Sequence, residues 1–182
     1  MSWFKGIFPD KIRTESQQAD KKGVPDGVWG QCPSCNQTIY HPELVKNLYV
    51  CPACDHHIRI GARDRLGLIL DEGSAVEIAS DVMPKDSLKF KDTKPYVDRL
   101  KQAQKKTNET EAMIVQTGTI MQKPACVAVF EYSFVGGSMG SVVGERFVQG
   151  VEAALAQKMP FICVTASGGA RMQESLFSLM QM

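Results

Sequence analysis

One pattern occurs twice between Cys126 and Glu174, and it constrains the fold of this 182-residue chain more than any other feature. In each copy a short apolar run predicts a strand, a glycine-rich turn follows it, and a helical pattern follows the turn. Parallel strands that are joined by helices place such turns at the same edge of a sheet. We therefore predict an α/β fold in which both glycine turns border one crevice. The first turn is Gly136, Gly137, Ser138, Met139 and Gly140, and the second is Ser167, Gly168, Gly169, Ala170 and Arg171.

Glycine turns of this kind are typical of sites that bind a ligand through the backbone. Glycine has no Cβ, so a ligand can approach the main chain closely. A helix that begins just after the turn directs unpaired N–H groups and the positive end of its dipole at that ligand. The alternative is that both turns are ordinary tight connections between a strand and a helix. Two such turns in successive units favour the binding crevice.

Neither turn matches a nucleotide-binding motif. Val135 stands where the dinucleotide fingerprint requires its first glycine, and neither turn ends in Gly-Lys followed by Ser or Thr. The run from Gly136 to Gly140 matches the GxSxG elbow of serine hydrolases, with Ser138 as the nucleophile. However, that elbow follows its strand directly, whereas five residues separate Phe130 from the first glycine, and no histidine base follows in the sequence. A serine hydrolase therefore stays an alternative.

The chemistry that remains relies on backbone N–H groups of small residues, without an evident side-chain base. Preorganised amide donors can stabilise an oxyanion, such as a thioester enolate, by several kcal/mol. The base for such a reaction would have to arrive with a substrate or a partner.

Four of the six cysteines form two CxxC pairs, separated by fifteen residues. Each pair directs two thiolates at one point, and four thiolates complete the coordination sphere of a structural zinc ion. An iron–sulfur centre and a dithiol redox pair are the alternatives. The four predicted zinc ligands are Cys32, Cys35, Cys51 and Cys54.

The stretch between the two pairs predicts a short hairpin, with Ile39-Tyr40 and Leu48-Tyr49-Val50 as its strands. His56 and His57 follow the second pair and could replace one cysteine as a ligand, although four thiolates leave no open position.

Composition and charge exclude several classes of protein. With 43% hydrophobic and 23% charged residues, the chain can bury a core. A net charge of +1 excludes a strong general attraction to nucleic acid or anionic lipid. A local contact of the zinc ribbon with RNA or DNA stays open, and the basic stretch 85–106 either forms a solvated helix face or attracts phosphates.

No apolar run approaches the roughly 20 residues that span a bilayer, and the apolar start is too short for a signal peptide. We expect a soluble, cytoplasmic protein.

The order of patterns divides the chain into a flexible arm at 1–27, a zinc ribbon at 28–60 and a larger domain at 61–182. Within this domain we predict four helices, four strands and a turn around Gln122-Lys123-Pro124. Because the sequence stops at Met182 inside a predicted helix, we expect it to be part of a longer protein. The predicted helices are Ala62 to Leu70, Pro95 to Lys106 with Val97 and Leu100 inward, Val143 to Leu155 and Met172 to Met180. The predicted strands are Ser74 to Ile78, Ala112 to Val115, Cys126 to Phe130 and Phe161 to Ala166.

Several of these runs together resemble the β subunit of bacterial and plastid acetyl-CoA carboxylase carboxyltransferase. Besides the four-cysteine ribbon, the resemblance rests on four runs: residues 51–57 (CPACDHH), 84–86 (PKD), 134–144 (FVGGSMGSVVG) and 167–174 (SGGARMQE). It covers the whole chain.

The resemblance implies a crotonase-like (ClpP/crotonase) spiral of ββα units after the ribbon, of which residues 61–182 are the N-terminal part. It implies transfer of a carboxyl group from carboxybiotin, held on the biotin carboxyl carrier protein, to acetyl-CoA, which gives malonyl-CoA for fatty acid biosynthesis. The implied partners are a carboxyltransferase α subunit in an α2β2 assembly and, in the larger ATP-dependent complex, biotin carboxylase.

The resemblance also implies roles for residues. The four cysteines would hold one structural Zn²⁺ per chain, and the two glycine turns would line the crevice for coenzyme A and carboxybiotin. No residue is assigned the catalytic role; backbone donors near Gly168 and Gly169 are candidates, and a further glycine pair would lie beyond Met182.

Overall fold

The computed structural model describes residues 28–181. These residues divide into two compact units, with the division between Ile58 and Arg59. The predicted arm at 1–27 lies outside the described residues. Within the described part of the chain, no helix combines the length and the apolar character that crossing a membrane requires.

The first unit is built around two small loops that carry the cysteine pairs. Strand β1 (Trp29–Gln31) pairs antiparallel with β2 (Thr38–Tyr40), and helix α1 (His41–Lys46) follows. The predicted strand at Leu48-Tyr49-Val50 is wrong. Leu48 and Tyr49 have φ angles of 52° and 64°, because the chain reverses directly after α1 and Tyr49 donates its N–H back to the C=O of Leu44.

The second unit contains a four-stranded sheet in the order β3 (Val76–Ile78), β4 (Met113–Ile120), β5 (Lys123–Phe130) and β6 (Phe161–Val164). The first three strands are antiparallel, whereas β5 and β6 are parallel. Helix α4 (Ser141–Ala156) connects these two parallel strands. Strands β4 and β5 with α4 form a ββα unit, and β6 continues the sheet.

Helices cover both faces of this sheet. Helices α3 (Tyr96–Thr107) and α4 pack on the face that contains Met113 and Val115, whereas α2 (Ala62–Ile69) packs on the face that contains Ile114. Alternate residues of β4 therefore point into two different apolar clusters, as expected of a strand that is buried on both sides.

The inward face of α3 differs from the prediction. Tyr96, Leu100 and Ala103 are buried, whereas Val97, predicted to point inward, is 40% exposed. The spacing i, i+4, i+7 describes this face, and Tyr96 occupies its first position because its phenol finds hydrogen-bond partners inside the protein.

The turn between β4 and β5 lies one residue earlier than predicted. Met121 and Gln122, with φ angles of 49° and 65°, form a two-residue hairpin turn, and the carboxylate of Asp71 accepts a hydrogen bond from the N–H of each. Pro124 lies within β5, opposite Thr119. Its nitrogen faces the same side as the nitrogen of Cys126, toward β6. Because β6 begins only opposite Cys126, no strand lies beside Pro124 on that side, and its missing N–H removes no hydrogen bond of the sheet.

The helix predicted from Met172 to Met180 is also wrong. A 3₁₀ turn (Met172–Glu174) and the four-residue helix α5 (Leu176–Leu179) are separated by Ser175, whose φ and ψ are 49° and −126°. The apolar spacing was interpreted as a buried face, but Met172 and Leu176 are 80% and 67% exposed, whereas Glu174 is 4% exposed. The chain bends because hydrogen bonds draw this carboxylate inward.

Candidate functional site

The four cysteines of the first unit converge on one point. Their Sγ atoms all lie within 4.8 Å of one another. The Sγ atoms of Cys32 and Cys54 are 3.7 Å apart, and those of Cys35 and Cys51 are 3.8 Å apart. A tetrahedron with Zn–S bonds of about 2.3 Å has edges of about 3.8 Å. The cysteines are therefore positioned to bind a metal, with the spacing that zinc requires.

The two CxxC pairs have the same local backbone. The C=O of Cys32 accepts the N–H of Asn36, and the C=O of Cys51 accepts the N–H of Asp55. Asn36 and Asp55 have φ angles of 58° and 57°, a conformation that Asn and Asp tolerate better than most residues. The backbone N–H of Cys35 is the main cause of a lowered pKa at Cys32, whereas burial and the neighbouring thiols outweigh the N–H of Gln37 and raise the pKa of Cys35.

In the second unit the two glycine turns lie directly against each other. Met139 donates its N–H to the C=O of Gly169, and Arg171 donates its N–H to the C=O of Met139, each at 2.9 Å. Gly168 donates to the C=O of Gly136, also at 2.9 Å. The turns thus form a short parallel bridge beyond the ends of β5 and β6, centred on Met139 and Ala170. Seven of the ten residues predicted to line the crevice are at least partly exposed in these turns, whereas Gly137, Gly140 and Arg171 are buried.

The glycines of the turns serve two different purposes. A Cβ on Gly137 would lie 2.1 Å from the C=O oxygen of Ala166, and a Cβ on Gly140 would lie 2.5 Å from the Oε1 of Glu174. These two glycines allow the turns to pack together. In contrast, a Cβ on Gly136 or Gly169 would meet no atom of another segment within 4 Å. Both residues have positive φ angles, which favour glycine for conformational reasons alone. Gly136 and Gly169 therefore border open space.

At the N-terminus of α4, a side chain of the protein itself accepts one of the N–H groups that the sequence analysis assigned to a ligand. The N–H of Ser141 donates to the Oε2 of Glu174 at 2.6 Å. Because a carboxylate is the natural partner for the positive end of a helix, the chain itself satisfies this donor.

Arg171 lies beneath the turns rather than on their surface. Its side chain is fully buried and forms a bidentate ion pair with the buried Glu111, at 2.5 and 2.7 Å. It also donates to the Oγ and the C=O of Ser138, at 3.1 and 2.6 Å. Burial lowers the pKa of Arg171, but the hydrogen bonds with Glu111 outweigh it and raise that pKa above its usual value. The guanidinium thus connects the second turn to the first.

Tyr96 and Glu174 extend this buried network. Tyr96 donates its hydroxyl to the Oε1 of Glu174 at 2.6 Å and accepts a hydrogen bond from Arg171 at 3.1 Å. Burial raises the pKa of Tyr96, so the phenol keeps its proton. The sequence analysis did not identify Glu111, Tyr96 or Glu174 as parts of the site. The one available signal was an acidic residue, Glu111, directly before an apolar strand.

The surroundings of Ser138 weaken the hydrolase alternative. Its Oγ accepts a hydrogen bond from Arg171, which is always protonated and cannot take the proton of a nucleophile. Residues 59–182 contain no histidine.

The packing role of Gly137 can be separated from its conformation by comparing two substitutions. Gly136→Ala adds a Cβ at a φ of 67° in open space, and we expect it to lower the free energy of unfolding by about 1 kcal/mol. Gly137→Ala has nearly the same φ, 65°, but its Cβ overlaps a backbone oxygen, so we expect a loss at least about 2 kcal/mol larger. Urea denaturation measures both, and equal losses would contradict the packing role.

The metal cluster makes a second prediction. Cys32→Ser should lose the bound zinc, because a neutral hydroxyl replaces a thiolate ligand. His57→Ala is the control and should keep it, since the cluster in the described residues consists of the four cysteines. Metal content measured by atomic emission tests this, and full zinc occupancy in Cys32→Ser would exclude Cys32 as a ligand.

Two family models match the chain. The acetyl-CoA carboxylase zinc finger domain matches residues 29–54, and the carboxyl transferase domain matches residues 62–182.

Solved structures agree with this assignment. The chain is similar to transcarboxylase 12S with methylmalonyl-coenzyme A and methylmalonic acid bound, at 28% identity and a TM-score of 0.54, over 68% of this chain and 22% of that one. It is also similar to a Pseudomonas malonate decarboxylase hetero-tetramer in complex with malonate, at 25% identity and a TM-score of 0.53, over 67% of this chain and 42% of that one. The chain thus spans less than half the length of these relatives.

These matches confirm the family resemblance and the predicted fold class, a crotonase-like α/β domain with a four-cysteine zinc ribbon. The chain belongs to the carboxyl transferase domain family, with the zinc finger of acetyl-CoA carboxylase ahead of that domain.

Proposed function

We propose that this chain is the β subunit of the carboxyltransferase component of an acetyl-CoA carboxylase. Its reaction is the transfer of a carboxyl group from carboxybiotin to acetyl-CoA, which gives malonyl-CoA. The observation that carries the proposal is the pair of glycine turns beyond two parallel strands, inside a carboxyl transferase domain that an acetyl-CoA carboxylase zinc finger precedes.

The ligands of two relatives support the substrate class. Methylmalonyl-coenzyme A is bound to transcarboxylase 12S, and malonate is bound to the malonate decarboxylase. Malonyl-CoA combines both features, because it is a coenzyme A thioester whose acyl group carries the free carboxylate of malonate.

The backbone of the second turn supports the chemistry. Because Gly169 gives its C=O and Arg171 its N–H to Met139, the N–H of Ala170 between them points away from the first turn. Ala170 is exposed, and Gly169 beside it borders open space. An amide donor in this position suits the oxyanion of a thioester enolate.

The proton chemistry requires no side-chain base from these turns. Carboxybiotin, when bound, would supply both the CO2 and, at its ureido nitrogen, the base for the acetyl methyl group. The task of residues 59–182 is then to bind the thioester and orient it, which agrees with a crevice built from glycine, alanine and serine.

The rest of the assignment follows the same resemblance. We assign Cys32, Cys35, Cys51 and Cys54 as ligands of one structural Zn²⁺, in a ribbon domain at 28–60 ahead of a catalytic domain that begins at 61. The partners are a carboxyltransferase α subunit in an α2β2 assembly, the biotin carboxyl carrier protein and biotin carboxylase, in the cytoplasm.

The reverse reaction tests the proposal. The full-length native protein, purified with its partner subunit, is mixed with malonyl-CoA and biocytin, and acetyl-CoA is measured. We expect acetyl-CoA to form only when biocytin is present. Its absence from an intact, zinc-loaded complex would overturn the proposed activity.

One substitution connects this activity to the open glycine. Gly169→Val puts a side chain into the open space beside Ala170, and we expect transfer to fall by at least about 100-fold because the thioester loses its approach to the backbone. Gly73→Val is the matched control, since Gly73 also has a positive φ and open space but lies outside the turns. Loss of activity in both variants, or in neither, would contradict this role of Gly169.

A further inference from the structure

Glu174 lies on the segment that follows the second glycine turn and binds the segment that follows the first. It follows the second turn by three residues, yet its Oε2 accepts the N–H of Ser141, the residue that follows the first turn. Its Oε1 accepts the hydroxyl of Tyr96, and the Nη1 of Arg171 lies 3.6 Å from the same oxygen. Every one of these neighbours is a donor, so the site is built for an ionised carboxylate.

The first turn is shaped to admit this carboxylate. A Cβ on Gly140 would lie 2.5 Å from the Oε1 of Glu174 and 2.9 Å from its carboxyl carbon. Any other residue at 140 would therefore displace Glu174 from the start of α4. The bend at Ser175 also allows the carboxylate to reach this position. It lets Glu174 point inward while Met172 and Leu176 stay exposed.

The backbone bridge between the turns ends at Arg171, whose side chain also binds Ser138, and Glu174 adds a further connection three residues along the chain. The bridge and Arg171 hold the first turn from Gly136 to Met139, whereas Glu174 holds the helix that begins at Ser141. Without Glu174, the end of the first turn and the start of α4 would lose this hydrogen bond to the second segment.

We propose that Glu174 is a positioning residue for carboxyl transfer: it holds the first glycine turn against the second by binding the start of α4. This inference rests on the proposed function and assigns Glu174 no contact with substrate. Its loss should change the alignment of the two turns, and so lower kcat more than it changes the KM for malonyl-CoA.

The test uses Glu174→Gln in the full-length protein with its partner subunit. The amide keeps the size of the side chain but offers only one acceptor oxygen to the two donors. Glu152→Gln is the matched control. It removes an exposed carboxylate from α4, the helix whose start Glu174 binds. Backbone amide exchange measures the turns without reference to activity, and the reverse reaction with malonyl-CoA and biocytin gives kcat and KM.

We expect amide exchange at residues 138–143 to rise roughly tenfold in Glu174→Gln, with the sheet unaffected, because a charge-assisted hydrogen bond is lost. The kcat should fall by roughly tenfold or more, with KM changed less than about threefold. Tyr96→Phe removes one donor to Glu174 without disturbing its charge, and should shift both readouts in the same direction by less. If Glu174→Gln does not fold, the exchange and kcat of Tyr96→Phe decide whether Glu174 positions the turns.

Two results would overturn the inference. One is a Glu174→Gln enzyme with the exchange and kcat of Glu152→Gln. The other is an exchange increase spread evenly over residues 59–181, which would make Glu174 a residue of general stability. A wild-type complex without transfer activity would instead contradict the proposed function, and the local exchange data would still decide whether Glu174 connects the turns.

Discussion

The buried ion pair between Arg171 and Glu111 is the interaction on which the candidate site depends. Both side chains are fully buried. Removing one partner of such a pair leaves a charge without compensation and typically costs about 3–5 kcal/mol. Glu111 lies just before β4, at the start of the sheet, whereas Arg171 ends the second glycine turn and also binds Ser138 in the first. One guanidinium therefore fixes both turns to the sheet.

This dependence explains why glycine-rich motifs need more than flexible backbone. Gly137 and Gly140 make room for a carbonyl oxygen and a carboxylate of the opposite segment, so they act through packing. Gly136 and Gly169 border open space and leave backbone accessible to a ligand. Because the first pair holds the second pair in place, the crevice is a product of tertiary packing as much as of local conformation. Rigid support of this kind is what an oxyanion site requires, since its donors must be oriented before the charge develops.

The sequence predicted those parts of the molecule that follow from spacing. The two CxxC pairs predicted the sulfur cluster, and strand, turn and helix patterns predicted the sheet and the neighbouring glycine turns. Prediction failed where charged residues are buried. Charged residues such as Arg171 and Glu174 usually lie at a surface. The sequence pattern therefore assigns the core face of a helix to the apolar residues between Met172 and Met180, which the structure leaves exposed. Tyr96 was missed for a similar reason, because its burial depends on partners 75 and 78 residues away in the sequence.

A double-mutant cycle on Glu111 and Arg171 tests the central claim most directly. Glu111→Met, Arg171→Met and the double variant of the full-length, partnered protein are compared by urea denaturation and by transfer from malonyl-CoA to biocytin. If the pair serves to hold the turns, each single variant loses about 3–5 kcal/mol, and the double variant recovers most of that stability because no unpaired charge remains. It should nevertheless be inactive, because the hydrogen bonds from Arg171 to Ser138 are then lost. A double variant that transfers at the wild-type rate would contradict the account.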